Sequence, residues 1–152
     1  MKKRYLIPGD YMADPSVHVF EGKVYIYPSH DWESGIPEDD WGAHFDMRDY
    51  HVFSLEDVME GDVTDHGRVL DKTDVPWVKR QMWDCDCCEK DGKYYLYFPA
   101  KDIRTSSVWE WLSVTRLTAR LCRNRILSGE VIPWIRPYLR MMTVRYMFIS
   151  VD

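Results

Sequence analysis

Alternation of apolar and polar positions is clearest at two places in the chain. From Val17 to Tyr27, two runs rich in Val, Ile and Tyr flank Glu21-Gly22, preceded by the polar turn Ala13-Asp14-Pro15-Ser16. This pattern predicts a β-hairpin closed by a short Gly-containing connection. Seventy residues later the form returns, as Glu89-Lys90-Asp91-Gly92-Lys93-Tyr94-Tyr95-Leu96-Tyr97 against Phe20-Glu21-Gly22-Lys23-Val24-Tyr25-Ile26-Tyr27. Repetition at that distance suits the four-stranded blades of a β-propeller, and a two-layer sandwich accounts for two copies as well.

The remaining elements are weaker. Tyr5-Leu6-Ile7 reads as a lead-in strand ended by Pro8-Gly9-Asp10. Residues 28–50 read as one long polar and aromatic loop, with seven acidic residues against a single Arg. Such loops are usually functional or mobile. His51-Val52-Phe53 is a short strand. Ser54 with Asp57 resembles a capping box, which predicts a helical turn over Leu55 to Met59 closed by Gly61. Gly67 to Leu70 leads into another turn.

Past Lys101 the character changes. Residues 1–101 carry twelve Lys and Arg against 21 acidic side chains, and residues 102–152 carry eight Arg and no Lys against four. The two parts therefore have opposite net charge, −9 and +4, and are treated as separate segments. Hairpin signals also stop. Leu112 to Leu127 predicts a basic, partly amphipathic helix, and Met141 to Val151 an apolar strand or sticky tail. The fold expectation is all-β over residues 1–101, followed by an irregular or partly helical tail over residues 102–152.

Composition narrows the function classes. At 45% hydrophobic and 30% charged, 152 residues make one ordinary globular domain. A net charge of −5 gives no general affinity for nucleic acid. No apolar run is long enough to span a membrane, so neither nucleic acid nor membrane is an expected partner. The Arg cluster Arg116, Arg120, Arg123, Arg125 is a minor contrary signal. The basic start MKKRYLIPGD has too short an apolar stretch for a signal peptide. Cys85, Cys87, Cys88 and Cys122 are poorly spaced for disulfides, which favours a reduced, cytoplasmic chain.

Candidate chemistry centres on Asp14, a carboxylate placed just before a paired strand. Its plain role is to cap its own turn. Trp32, Trp41, Phe45 and Trp77 offer faces for sugar stacking, with loop packing as the rival. His51 is placed to point into a pocket or to be satisfied structurally. His30, Asp31, His44 and Asp46 are metal-ligand types without a helical or finger spacing, so no metal is assigned to them. The same holds for Cys85-Asp86-Cys87-Cys88, which lacks a second thiol pair. No cofactor is implied.

Ala13-Asp14-Pro15-Ser16-Val17, the Glu21-Gly22 hairpin, Tyr50-His51-Val52-Phe53-Ser54 and Asp91-Gly92-Lys93-Tyr94-Tyr95-Leu96-Tyr97-Phe98 occur in that order. Together they make residues 5–101 resemble glycoside hydrolase family 43, in its β-xylosidase and α-L-arabinofuranosidase branch. The resemblance implies a fragment of a five-bladed β-propeller with an axial pocket for xylose- or arabinose-containing plant oligosaccharides or aryl glycosides. It implies inverting hydrolysis with Asp14 as general base. The family's second Asp, in a Ser-Ile-Asp-Pro-like motif, and its general-acid Glu have no counterpart motif here. Trp83-Asp84-Cys85 also stands where the family often has Trp-Ala-Pro.

The tail departs in a particular way. A family-like Gly-Val-Ala-Val-Ser-Asp, read one base away, becomes Glu-Trp-Leu-Ser-Val-Thr, which is Glu110 to Thr115. The expectation is a frameshift near residue 102, and a chain without appreciable glycosidase activity. The alternative is a non-catalytic carbohydrate-binding or structural β-domain.

Overall fold

The computed structural model describes residues 4–40, 42–102 and 107–114, the last as backbone only. It contains eight described strands: β1 Met12–Phe20, β2 Lys23–Asp31, β3 Met47–Leu55, β4 Thr64–Asp71, β5 Val78–Arg80, β6 Asp86–Lys90, β7 Lys93–Asp102 and β8 Ser107–Val114. β1 to β4 form an antiparallel meander in chain order. In the second sheet β7 is central. β6 and β8 both pair with Tyr94 to Tyr97 and so take opposite edges of β7, and β5 pairs with the end of β7 at Lys101 and Asp102.

Both predicted hairpins are present, with Val19 opposite Val24 across Glu21-Gly22 and Lys90 opposite Lys93 across Asp91-Gly92. In each turn both central residues have positive φ: Glu21 at 51°, Gly22 at 77°, Asp91 at 54° and Gly92 at 71°. This is the signature of the two-residue turns whose twist matches that of paired strands. Glycine supplies the second position without steric penalty.

The main core lies between the sheets. Tyr25 and Tyr27 of β2 and Tyr50 and Val52 of β3 face Tyr94, Leu96 and Phe98 of β7, with Met82, Cys85 and Cys87 filling between. Alternation sends Ile26, Phe53 and Leu55 to the other face of the first sheet, where Leu6, Ile7, Met12 and Val63 cover them. Polar bonds cross the inter-sheet layer. His18 Nε2 meets Asp86 Oδ1, and the Tyr94 hydroxyl donates to Glu21 at 2.9 Å.

Several expectations are corrected. Tyr5-Leu6-Ile7 is bend and turn, not strand, because Leu6 and Ile7 cover the same cluster consecutively and Gly9 turns the chain at φ 93°. The loop of 28–50 is shorter at both ends, since Pro28 to Asp31 extend β2 and Met47 to Tyr50 begin β3. No helical turn spans Leu55 to Met59. Leu55 ends β3, the Ser54 hydroxyl bonds His66 at 2.7 Å, and Asp57 instead receives the Met59 amide at 2.7 Å. Gly67 to Leu70 does lead into a turn, the 3-10 helix Lys72–Asp74, but is itself part of β4, with Gly67 at φ 78° where pairing with β3 is irregular. Leu112 to Val114 end a strand, so the basic helix does not begin at Leu112 and residues 107–114 are not irregular. The remainder of that helix, Met141 to Val151 and the Arg cluster lie outside the described residues.

Candidate active site

Asp14 interrupts the β1–β2 ladder. Ala13 pairs with Ser29 and Ser16 with Tyr27, so Asp14 and Pro15 together oppose Pro28 alone. This is a β-bulge, a device that re-aims a side chain at a sheet edge. Asp14 is exposed and sits at φ 46°, in the left-handed region that L-residues enter at a penalty of roughly 1–2 kcal/mol. Asp tolerates that region better than most residues. The Ser29 hydroxyl donates to the Ala13 carbonyl at 3.1 Å and helps hold the bulge on β2.

Asp31 is the neighbouring acid. Its carboxyl is pushed above the usual carboxylate range, chiefly by burial and further by the charges of Asp46 and Asp14, against the hydrogen bond from the Asp46 amide. That amide donates to Asp31 Oδ1 at 3.0 Å, and the Asp31 amide donates to the Tyr11 carbonyl at 2.8 Å. The strand ends thus bring Asp14 and Asp31 close enough for one charge to act on the other.

Beside them the loop after β2 lines a cleft of about 300 Å³, with Tyr11, Asp31, Trp32, Ile36, Glu38, His44 and Phe45 among its walls. Trp32 is 46% exposed and carries the Arg48 guanidinium 5.3 Å from its ring centre. Its Nε1 donates to Asp49 Oδ2 at 3.2 Å. Phe45 is equally exposed and lies 4.1 Å from the His44 ring. Gln81 anchors this loop by donating to the Gly42 carbonyl at 2.8 Å and the Phe45 carbonyl at 2.9 Å.

The other sequence candidates fall elsewhere. Trp77 stacks on Phe98 with a 7° interplanar angle and packs against the inter-sheet core, and is not among the residues that line the cleft. Trp41 lies outside the described residues. His51 lies on β3 beside Asp49, with which His30 also bonds. His44 faces Glu38 and Asp39, and Asp46 receives Arg48, so the four residues first grouped as ligand types do not converge. Cys85 and Cys87 are buried, and Cys88 partly so. Burial holds all three thiols above their ordinary range.

Asp49 is not marked by the sequence as a site residue, and Asp31 is marked only as a metal-ligand type. The alternation Asp49-Tyr50-His51 would place Asp49 and His51 on one face of a strand. Only the register, with His30 directly opposite Asp49, shows what shares that face.

No protein-family profile matches the chain. Individual relatives match strongly. A xylosidase/arabinosidase of Bacteroides ovatus is 69% identical over 101 residues, which is 66% of this chain and 31% of that protein. A β-xylosidase of Xylanibacter ruminicola is 57% identical over 103 residues, 67% of this chain and 32% of that protein. Among solved structures, a β-xylosidase superposes with a TM-score of 0.77 at 54% identity, covering 84% of this chain and 40% of the other. A family 43 β-xylosidase/α-arabinofuranosidase from a compost metagenome gives a TM-score of 0.75 at 50% identity, covering 82% and 38%.

Over the matched residues the chain belongs to glycoside hydrolase family 43.

It spans about a third of the length of the curated family 43 relatives it matches. Its antiparallel sheets follow those of the family 43 structures, and no closed ring of blades is formed by the described residues.

Proposed function

We propose that residues 1–101 are part of a five-bladed propeller of an inverting glycosidase acting on xylose- or arabinose-containing saccharides, with Asp14 as general base. What carries this reading is the strained bulge at Asp14 within a sequence 69% identical to a xylosidase/arabinosidase. A bulge that holds an exposed carboxylate at positive φ has a penalty that turn capping alone does not explain. Inversion needs a water between base and sugar, with the paired carboxyls about 6.5–9.5 Å apart. Asp14 is exposed and close to Asp31, which lines the aromatic cleft.

The 152-residue chain by itself is proposed to be inactive. General acid catalysis typically supplies about 10²–10⁴-fold, and no residue here matches the family's acid or its second Asp. Residues 102–152 are proposed to be a frameshifted tail. In support, the matches to curated relatives extend over 98 to 103 of the 152 residues. Sequencing the gene tests this, and an intact frame with no family-like reading beside it would refute it.

Activity is tested with aryl β-xyloside and α-L-arabinofuranoside, using a full-length relative as reference. Saccharide binding without turnover would favour a non-catalytic carbohydrate-binding domain.

A further inference from the structure

Three metal-ligating side chains converge on the face of the first sheet that turns away from the second. Asp49 and His51 alternate on β3, and His30 of β2 is the direct cross-strand partner of Asp49. Two positions i and i+2 on one strand and their cross-strand neighbour all project from the same face. His30 Nδ1 lies 2.9 Å from Asp49 Oδ1, and His51 Nε2 lies 3.4 Å from the same oxygen. One ligand atom from each residue falls within 4.8 Å of the other two.

We propose that His30, Asp49 and His51 form a binding site for a first-row divalent transition metal, with zinc as the representative ion. Zn–N and Zn–O bonds of about 2.0–2.1 Å around a tetrahedral ion separate donors by about 3.3 Å. Two of the three pairs already stand near that spacing, and rotation of the His51 ring brings in the third. The cation replaces the proton held between His30 and Asp49, which is released on binding. Two imidazoles and one carboxylate suit a borderline cation with an open coordination position, whereas calcium favours six to eight oxygens.

The surrounding groups fit the same reading. His30 Nε2 faces Asp10 Oδ1 at 3.1 Å. His51 Nδ1 is buried without a hydrogen bond, and its nearest acid is Asp65 Oδ1 at 3.7 Å. His30 therefore has an outer carboxylate behind the nitrogen that does not ligate, the arrangement that fixes tautomer and ring orientation in metal sites. Trp32 Nε1 occupies Asp49 Oδ2 and leaves Oδ1 to the cation.

The test is titration of the full 152-residue chain with Zn²⁺ by calorimetry, paired with the absorption spectrum of the Co²⁺ form. The expected result is one ion per chain, a cobalt spectrum without a thiolate charge-transfer band, and no displacement by excess Ca²⁺. His51→Ala should lower zinc affinity more than 100-fold. Asp10→Asn should lower it about 10–100-fold, as is typical for outer-shell partners. His44→Ala should not change it. Failure to take up zinc, uptake that survives His51→Ala, a thiolate band or displacement by Ca²⁺ would each overturn the proposal.

Discussion

His18 of β1 and Asp86 of β6 close a 2.5 Å hydrogen-bond contact between residues 68 positions apart, and so tie the two sheets together. Their side chains are 32% and 23% exposed, so solvent screens part of the interaction. His18 also stacks on Phe20, whose ring packs edge-on against Tyr94 at 5.3 Å. His18→Ala is expected to lower stability by about 1–2 kcal/mol, read from the urea midpoint. An unchanged midpoint would show that the His18–Asp86 contact adds nothing to the packing of the sheets.

The hairpin turns make a separable prediction. A Cβ added at Gly22 or Gly92 meets nothing within 4 Å, so any penalty is conformational. With φ at 77° and 71°, Gly22→Ala and Gly92→Ala should each destabilise by about 1–2 kcal/mol. Equal midpoints for wild type and both variants would mean that these turns relax away from positive φ.

Asp14 predicts the opposite sign. Glycine at this position relieves the left-handed backbone, so Asp14→Gly should stabilise the chain by up to about 1 kcal/mol. Pro15 already restricts the neighbouring backbone, which limits the entropy that glycine adds to the unfolded chain. A lower urea midpoint for Asp14→Gly would mean that the Asp14 side chain holds the bulge together.

The Cys87 thiol is pushed up to about 12 from an ordinary 9.0, first by burial and then by Cys88 and Asp86. At pH 8 only roughly one thiol in ten thousand is thiolate. Alkylation followed by peptide mapping should find Cys85 and Cys87 unmodified in the folded chain. The folded state favours the protonated thiol, so its contribution is full below about pH 9 and is lost as pH rises toward 12. The urea midpoint should therefore fall from pH 8 to pH 11, and Cys87→Ala should flatten that fall.

The legible parts of the fold were those that local chemistry determines. Glu21-Gly22 and Asp91-Gly92 announce their turns because few other residues accept two successive positive φ values, and alternation then fixes the flanking strands. Leu6 and Ile7 misled because an apolar triplet before Pro-Gly has the same composition whether it pairs in a sheet or caps one. Ser54 and Asp57 have capping-box spacing, but pairing with His66 kept Ser54 in a strand. The grouping of His30 with Asp49 and His51 depended on register, which pairs strands across a 15-residue loop and has no local signature. At Asp14 the sequence marked the residue and its turn, while the bulge and the nearby Asp31 emerged only from the pairing of β1 with β2.

Turnover of aryl β-xyloside and α-L-arabinofuranoside by the purified 152-residue chain, beside a full-length family 43 relative, tests the central claim most directly. The expected result is no appreciable hydrolysis by the short chain under conditions where the relative is active. Turnover near that of the relative would contradict it, because a residue outside the family's motifs would then be supplying the missing acid.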